Sequence, residues 1–101
     1  MVMGKVVGTV VASQKDEKLQ GTKLQVVRLV GLDAEPKDTF LVAVDSVGAG
    51  AGEIVLCCSG SSARMTRATE GKPVDAVIMA IVDSFEVEGG QVYQKHRLSE
   101  R

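Results

Sequence analysis

The sequence predicts an all-β fold class, a small closed barrel of about five to six strands with one short helix. Apolar residues make up 45% of the chain and aromatic residues only 3%, so that valine, alanine, leucine and isoleucine dominate the hydrophobic material. A composition of this kind favours thin strands over a core with aromatic anchors. The apolar runs are short and lie between polar or glycine-rich segments, which is typical of small barrels and sandwiches.

Length and charge limit the classes of function. With 101 residues, the chain is expected to form a single domain spanning residues 1–101. Its formal charge of -1 provides no basic surface, so neither nucleic acid nor an anionic membrane is an expected partner. The N-terminus lacks the pattern of a secretion signal, and the longest apolar stretch is shorter than the roughly 18 residues of a membrane-spanning helix. We therefore expect a soluble, cytosolic protein.

Four strands are predicted in the first part of the chain. Each is a run of β-branched or other apolar residues that ends at polar residues, glycine or proline. The predicted strands are Val6–Val11, Lys23–Leu32, Thr39–Val44 and Glu53–Cys58.

The second part of the chain contains the single predicted helix and the most apolar strand. Ser61–Ala68 can form at most two helical turns, with Ser61 or Ser62 as the cap and Gly71 and Pro73 beyond its end. Val74–Val87 has a continuous apolar centre, which predicts a strand that is covered on both faces.

A turn at Gly89 and Gly90 should lead into a last strand, Gln91–Lys95, followed by a charged tail that begins at His96. Taken together, the segments predict a Greek-key barrel of the OB type, because closure removes exposed sheet edges; a small sandwich is the alternative. The two-sided apolar strand must be enclosed by this barrel or buried against another subunit.

The glycines at 48, 50 and 52 suggest a phosphate-binding loop, since glycine lets backbone N–H groups approach an anion. The spacing matches neither the dinucleotide-binding nor the Walker pattern, and the segment leads into an apolar strand instead of a helix. We interpret it as a close-packed connection. A bulky β-branched residue in place of Gly48 or Gly50 is therefore expected to impair folding or assembly.

The sequence contains no convincing catalytic or metal-binding set. Cys57 and Cys58 are adjacent in a predicted strand, where they point to opposite faces and cannot easily form a disulfide; one should be buried and the other more exposed. A hydrolase would have to combine Ser59, Ser61 or Ser62 with His96 as the base and Asp45 or Asp83 as its partner, and nothing in the sequence brings these residues together. No catalytic residue, metal ligand or cofactor site is predicted.

Several segments, taken in order along nearly the whole chain, resemble the EutN/CcmL family of bacterial microcompartment vertex proteins. Two of them surround the fourth strand, and no single segment decides the resemblance. These are Asp45-Ser46-Val47-Gly48-Ala49-Gly50, followed by Gly52-Glu53, and Gly60-Ser61-Ser62-Ala63-Arg64. The others are Gly8-Thr9-Val10-Val11, Leu19-Gln20-Gly21 with Lys23-Leu24, and Pro73-Val74-Asp75-Ala76 with Ala80-Ile81-Val82-Asp83.

The resemblance implies a structural, non-enzymatic shell protein in the bacterial cytoplasm. It would form a homopentamer at the five-fold vertices of a microcompartment, where it would contact hexameric shell proteins and allow the hexagonal facets to close. By the same resemblance, the candidate residues for subunit contacts or the five-fold channel are Asp45, Ser46, Gly48, Ala49, Gly50, Gly60, Ser61, Ser62 and Arg64. Two alternatives are an OB-like module that binds a ligand or nucleic acid, and the small hydrolase described above.

Overall fold

The computed structural model describes residues 1–95. It contains seven strands, of which the first five close into a barrel and the last two form a separate hairpin. The strands are β1 (Val2–Val10), β2 (Leu24–Val30), β3 (Pro36–Asp45), β4 (Ile54–Ser59), β5 (Ala76–Ile81), β6 (Ser84–Val87) and β7 (Gly90–Gln94). Two short 3-10 helices, Glu17–Leu19 and Gly60–Arg64, complete the described elements. The predicted all-β barrel is confirmed.

The barrel closes in the order β1-β2-β3-β5-β4, with β4 returning to β1. All neighbours are antiparallel except β3 and β5, which pair in parallel. Since parallel strands cannot be joined by a tight turn, the chain between them runs through β4 and the second 3-10 helix. This crossover places two connections beside β5. Residues 46–53 lead from β3 into β4, and residues 60–75 lead from β4 to β5.

The interior of the barrel is filled by small aliphatic side chains. Its buried cluster consists of Val6, Val27, Ala43, Ala49, Val55, Cys57, Ala76 and Ile78. Gly4 also lies within the wall, because a Cβ there would overlap the Val27 side chain and lie 3.0 Å from the Arg28 carbonyl oxygen. The first strand was predicted to begin at Val6, but it begins at Val2. Gly4 belongs to this strand, where the absence of a side chain leaves space for Val27.

The predicted helix Ser61–Ala68 is wrong in type and extent. The chain forms only a 3-10 helix over Gly60–Arg64, and the residue before it, Ser59, makes no side-chain capping bond. Ala63 is fully buried and packs with Val44 and Val77 in a second cluster outside the barrel. Tertiary packing of Gly60–Arg64 outweighs the helical propensity of the longer predicted segment, Ser61–Ala68.

The predicted strand Val74–Val87 is divided in two. Ala76, Val77 and Ile78 are all buried, so the expected cover on both faces is confirmed there, and the chain itself supplies it. The strand ends at Ile81, and the Val82 N–H donates to the Ile54 carbonyl at the barrel rim, 2.8 Å away.

The predicted turn before the last strand is confirmed as the hairpin of β6 and β7. The Phe85 and Tyr93 rings stack on one face of it, with centroids 6.2 Å apart. A Lys95–Glu53 ion pair fixes the base of the hairpin to the barrel. The predicted tail from His96 lies outside the described residues.

Candidate subunit-contact site

The glycine loop, residues 46–53, connects β3 to β4 and begins at an aspartate turn. The Asp45 Oδ1 atom accepts hydrogen bonds from the N–H groups of Val47, at 3.0 Å, and Gly48, at 2.9 Å. Gly48 has a φ of 76°, in the left-handed region that glycine adopts at little cost. The carboxylate and this glycine together turn the chain away from the barrel wall.

Gln25 fastens the glycine loop from inside the barrel. Its side chain is buried, and its Nε2 atom donates to the Ala49 carbonyl oxygen at 2.9 Å and to Asp45 Oδ2 at 3.3 Å. The Gln25 Oε1 atom accepts from the Thr9 hydroxyl at 3.0 Å. Ala49 is buried as well, with 1% of its surface exposed. Gln25 was not identified from the sequence, and Thr9 was named only within a segment that resembles the family; the available signal for Gln25 was one amide within a mostly apolar strand.

The far end of the glycine loop is held by Glu53 and β1. The Glu53 carboxylate accepts from the Gly50 N–H and pairs with Lys95. The pKa of Glu53 lies below its ordinary value, first because of the Lys95 hydrogen bond and then because of the Gly50 N–H. The Gly52 N–H donates to the Val6 carbonyl at 2.8 Å. These loop N–H groups already have acceptors within the chain, and so they do not form a cradle for phosphate.

The carboxylate of Asp45 is stabilised in its charged form. Partial burial opposes its ionisation, but hydrogen bonds from the N–H groups of Val47 and Ala49, from the Gln25 amide and from the Gly48 N–H outweigh burial. The pKa of Asp45 is therefore lower than its ordinary value of 3.8. The loop geometry depends on this negative charge, because only the ionised carboxylate accepts all of these bonds.

Acid should weaken the glycine loop through Asp45. A carboxyl group with a lowered folded-state pKa stabilises the protein above its unfolded-state pKa and loses this contribution as the pH falls through the folded value. We expect the difference in free energy of unfolding between the wild type and Asp45→Asn to be constant above about pH 5 and to shrink below pH 3.8. Urea titrations of both proteins across this range would measure it, and parallel pH profiles would contradict the assignment.

The second candidate segment is the 3-10 helix Gly60–Arg64. Gly60 has a φ of 70°, and its N–H donates to the Asp75 carbonyl at 2.8 Å. Arg64 is exposed and its Nη1 atom donates to the Val74 carbonyl at 3.1 Å. Within residues 1–95 its guanidinium thus bonds a backbone oxygen and forms no ion pair. The exposed hydroxyls of Ser61 and Ser62 lie on the same short segment.

The structure brings the two segments to the two sides of β5. Asp45 pairs with Ile78 on one side of this strand, and Ser59 pairs with Ala76 on the other. Ser46 also donates its hydroxyl to the Ile78 carbonyl at 2.5 Å. A recess of about 400 Å³ joins Ser46 to the residues that follow the 3-10 helix: Thr66, Arg67 and Ala68. Arg67, rather than Arg64, therefore lines a recess with the glycine loop.

Most of the candidate residues are accessible in a single copy. Ala49 is buried, and Asp45 and Ser46 are half-buried. The exposed ones are Gly48, Gly50, Gly60, Ser61, Ser62 and Arg64. Except for Arg64, these residues have small side chains or none, which would let another backbone approach closely.

The cysteines point to opposite faces of β4, as predicted. Cys57 is buried and Cys58 is partly exposed; the Cys58 Sγ atom lies 2.9 Å from Met79 Sδ. Burial, followed by the neighbouring Cys58, raises the pKa of Cys57 to about 11, which keeps its thiol protonated and a poor nucleophile at neutral pH. The serine hydrolase set cannot be assembled from the described residues, since His96 lies outside them.

The two cysteines should therefore react at different rates. At pH 8 we expect iodoacetamide to modify Cys58 in the folded protein and to reach Cys57 only after unfolding. Peptide mass spectrometry would locate the modification, and the Cys58→Ser variant, which should resist labelling when folded, is the control. Equal labelling of both residues in the native protein would contradict the buried position of Cys57.

Among residues 1–95, no cluster of three or more histidine, cysteine, aspartate or glutamate side chains has the arrangement of a metal site. None of the helices in this part of the chain is long and apolar enough to cross a bilayer.

Comparison with known proteins gives concordant matches. The model of the family described as "Ethanolamine utilisation protein EutN/carboxysome" matches residues 1–83. The carboxysome shell vertex protein CcmL of Gloeobacter violaceus is 41% identical over 95 residues, covering 94% of this chain and 95% of that protein.

Solved structures agree with this match. The structure of Gloeobacter violaceus CcmL superposes with a TM-score of 0.93 at 40% identity, over 96% of this chain and 100% of that one. The GrpN pentameric microcompartment shell protein of Rhodospirillum rubrum superposes with a TM-score of 0.80 at 46% identity, over 86% of this chain and 99% of that one.

Proposed function

This chain belongs to the EutN/CcmL family, and on that premise we propose that it is a structural shell protein which forms a homopentamer at the vertices of a bacterial microcompartment. The observation that supports this most directly is its 46% identity and TM-score of 0.80 to a shell protein described as pentameric. The proposal places the chain, as one domain, in the shell of a compartment in the bacterial cytoplasm. It assigns the chain no enzymatic activity.

The mechanism is geometric. A flat sheet of hexagonal units cannot close unless five-fold units are inserted, and a ring of five copies supplies such a unit. In a ring of five, each copy uses one face to contact the copy before it and a different face to contact the copy after it. Contacts of this head-to-tail kind can close into a ring, whereas a contact between two identical faces gives only a dimer. The outer rim of the ring would then contact hexameric shell proteins.

We assign the glycine loop and the Gly60–Arg64 segment to subunit contacts or to the five-fold channel. The glycine loop is rigid, since a buried amide, an aspartate turn and an ion-paired glutamate fix its course. A fixed loop loses little conformational entropy when a neighbour packs on it. The candidate positions remain Asp45, Ser46, Gly48, Ala49, Gly50, Gly60, Ser61, Ser62 and Arg64.

Native mass spectrometry of the full chain tests the pentamer. We expect a five-subunit species at micromolar concentration, and a stable monomer would overturn the proposal. Co-expression with hexameric shell proteins tests the vertex role. Closed particles should form when this chain is present, and open sheets or tubes should form when it is absent; closed shells without it would count against the role.

A further inference from the structure

A cleft lies between the hairpin and the outer wall of the barrel. Its volume is about 400 Å³, which is within the range of sites that hold small molecules. One side is formed by β7, and the other by β1, β2 and β4. The term hairpin cleft is used here for this space, whose lining residues include Lys5, Val7, Arg28, Val30, Ile54 and Tyr93.

Two cations lie side by side in the wall of the hairpin cleft. Val6 and Val27 belong to the buried core of the barrel, so their strand neighbours Lys5 and Arg28 point outward. Lys5 and Arg28 are direct partners in the antiparallel pairing of β1 and β2. The Cβ atoms of such partners are about 5 Å apart, and like charges at these positions destabilise a sheet. An anion bound between the two cations would offset their repulsion.

The charges of the two cations are only partly balanced within residues 1–95. Arg28 pairs with Asp38 at 3.1 Å, but the Asp38 side chain is fully exposed, and exposed ion pairs are weak. The Arg28 Nε atom donates to the Lys37 carbonyl at 2.6 Å. Lys5 forms no ion pair in this part of the chain. Two positive charges and one negative charge leave one positive charge over, which fits a ligand with a single negative charge.

Most of the other lining residues are apolar. Val7 is exposed, whereas Val30 and Ile54 are buried without belonging to the cluster inside the barrel. At Gly52, which also lines the hairpin cleft, a Cβ would meet no other atom within 4 Å, so the cleft is open there. An apolar lining with a few polar groups placed together is typical of a site for a small organic molecule.

We propose that the hairpin cleft binds a small organic monoanion, a carboxylate with a short apolar body. The Lys5 ammonium and the Arg28 guanidinium bind the carboxylate, while Val7, Val30 and Ile54 contact the apolar body. Hydrogen bonds between charged groups are shorter and stronger than those between neutral groups, so the charge of the ligand should dominate its affinity. The inference goes beyond the proposed shell function and concerns residues of a single copy.

Tyrosine fluorescence measures binding in the hairpin cleft directly. The chain contains one tyrosine and no tryptophan, and this tyrosine, Tyr93, lines the cleft. The probe is hexanoate, added to the full chain. We expect a saturable change in emission with a dissociation constant of about 1 mM, as suits so small a ligand. Hexanamide, which has the same size but no charge, should bind more than about tenfold more weakly.

A charge-removing variant tests the role of Lys5. Lys5→Met keeps most of the aliphatic stem, and it should weaken hexanoate binding by more than about tenfold while leaving hexanamide binding unchanged. Because the variant also removes a like-charge contact, it should be at least as stable as the wild type in urea, which rules out unfolding as the cause. Lys18→Met is the matched control, since Lys18 is exposed and lies outside the cleft; it should bind hexanoate like the wild type.

Several results would overturn the inference. One is the absence of a saturable change with hexanoate, and another is equal binding of hexanoate by the wild type and Lys5→Met. Equal binding of hexanoate and hexanamide would show an apolar cleft without an anion site. Sulfate that binds as tightly as hexanoate would show that the apolar lining plays no part. A wild-type monomer that binds hexanoate would overturn the proposed pentamer and leave this inference standing.

Discussion

Replacing Gln25 by leucine should lower the free energy of unfolding by about 3 kcal/mol and release the glycine loop. The leucine side chain cannot replace the bonds to the Ala49 carbonyl, to Asp45 and to the Thr9 hydroxyl. Since Ala49 is buried, its carbonyl oxygen would lose its partner away from water, and an unsatisfied buried acceptor costs more than the bond itself contributes. Urea denaturation would measure the loss.

A local readout separates release of the loop from general destabilisation. Hydrogen exchange of the Val47 and Gly48 amides should accelerate in Gln25→Leu before global unfolding. The control is Thr9→Val, which removes only the outermost bond of the network and should cost about 1 kcal/mol. A Gln25→Leu protein with wild-type stability and unchanged loop exchange would contradict the role of the amide.

A large local effect in the glycine loop is expected for Gly48→Val. With a φ of 76°, this position forces any L-residue into a strained conformation, and a β-branched one most of all. We expect a loss of about 2 kcal/mol in the free energy of unfolding, together with loss of the pentamer. Denaturation and native mass spectrometry would measure the two effects.

Two further variants distinguish backbone strain from lack of space. Asparagine tolerates the left-handed region, so Gly48→Asn should lose less stability than Gly48→Val. The φ of Gly50 is not in that region, and its Cβ would meet only Glu53 Oε1, at 3.4 Å. Gly50→Val should therefore fold almost normally and should impair assembly if a neighbour packs there. Equal destabilisation by Gly48→Val and Gly50→Val would refute this distinction.

The sequence predicts the strands of the barrel more reliably than their ends. Composition and spacing indicated a closed all-β fold, because β-branched runs separated by turns are a local signal. The start of β1 was missed since Gly4 interrupts the apolar pattern. Only the packed structure shows that the Val27 side chain occupies the space beside this glycine. The division between β5 and β6 likewise depends on where the barrel closes.

In the candidate site too, the sequence predicts local turns but not contacts between distant residues. Asp45 and Gly48 were candidates because their segment resembles that of the family, and the structure places both in a turn that suits their residue types. Gln25 could not be identified, since a polar residue in a strand ordinarily faces water, whereas here the glycine loop between β3 and β4 brings the Ala49 carbonyl within hydrogen-bond distance of it. A helix was predicted over Ser61–Ala68 in place of the observed 3-10 helix Gly60–Arg64, because residue propensity does not reveal that burial of Ala63 fixes a shorter turn.

The separate hairpin of β6 and β7 has a consequence for engineering the chain. The family match ends at residue 83, and β6 begins at Ser84, after the barrel wall has already closed at Ile81. The hairpin strands pair only with each other in the described part of the chain. A change of length or sequence there leaves the wall's own hydrogen bonds intact. The turn between β6 and β7 is thus a suitable point for grafting a peptide tag, provided that the Lys95–Glu53 pair at the base of the hairpin is kept.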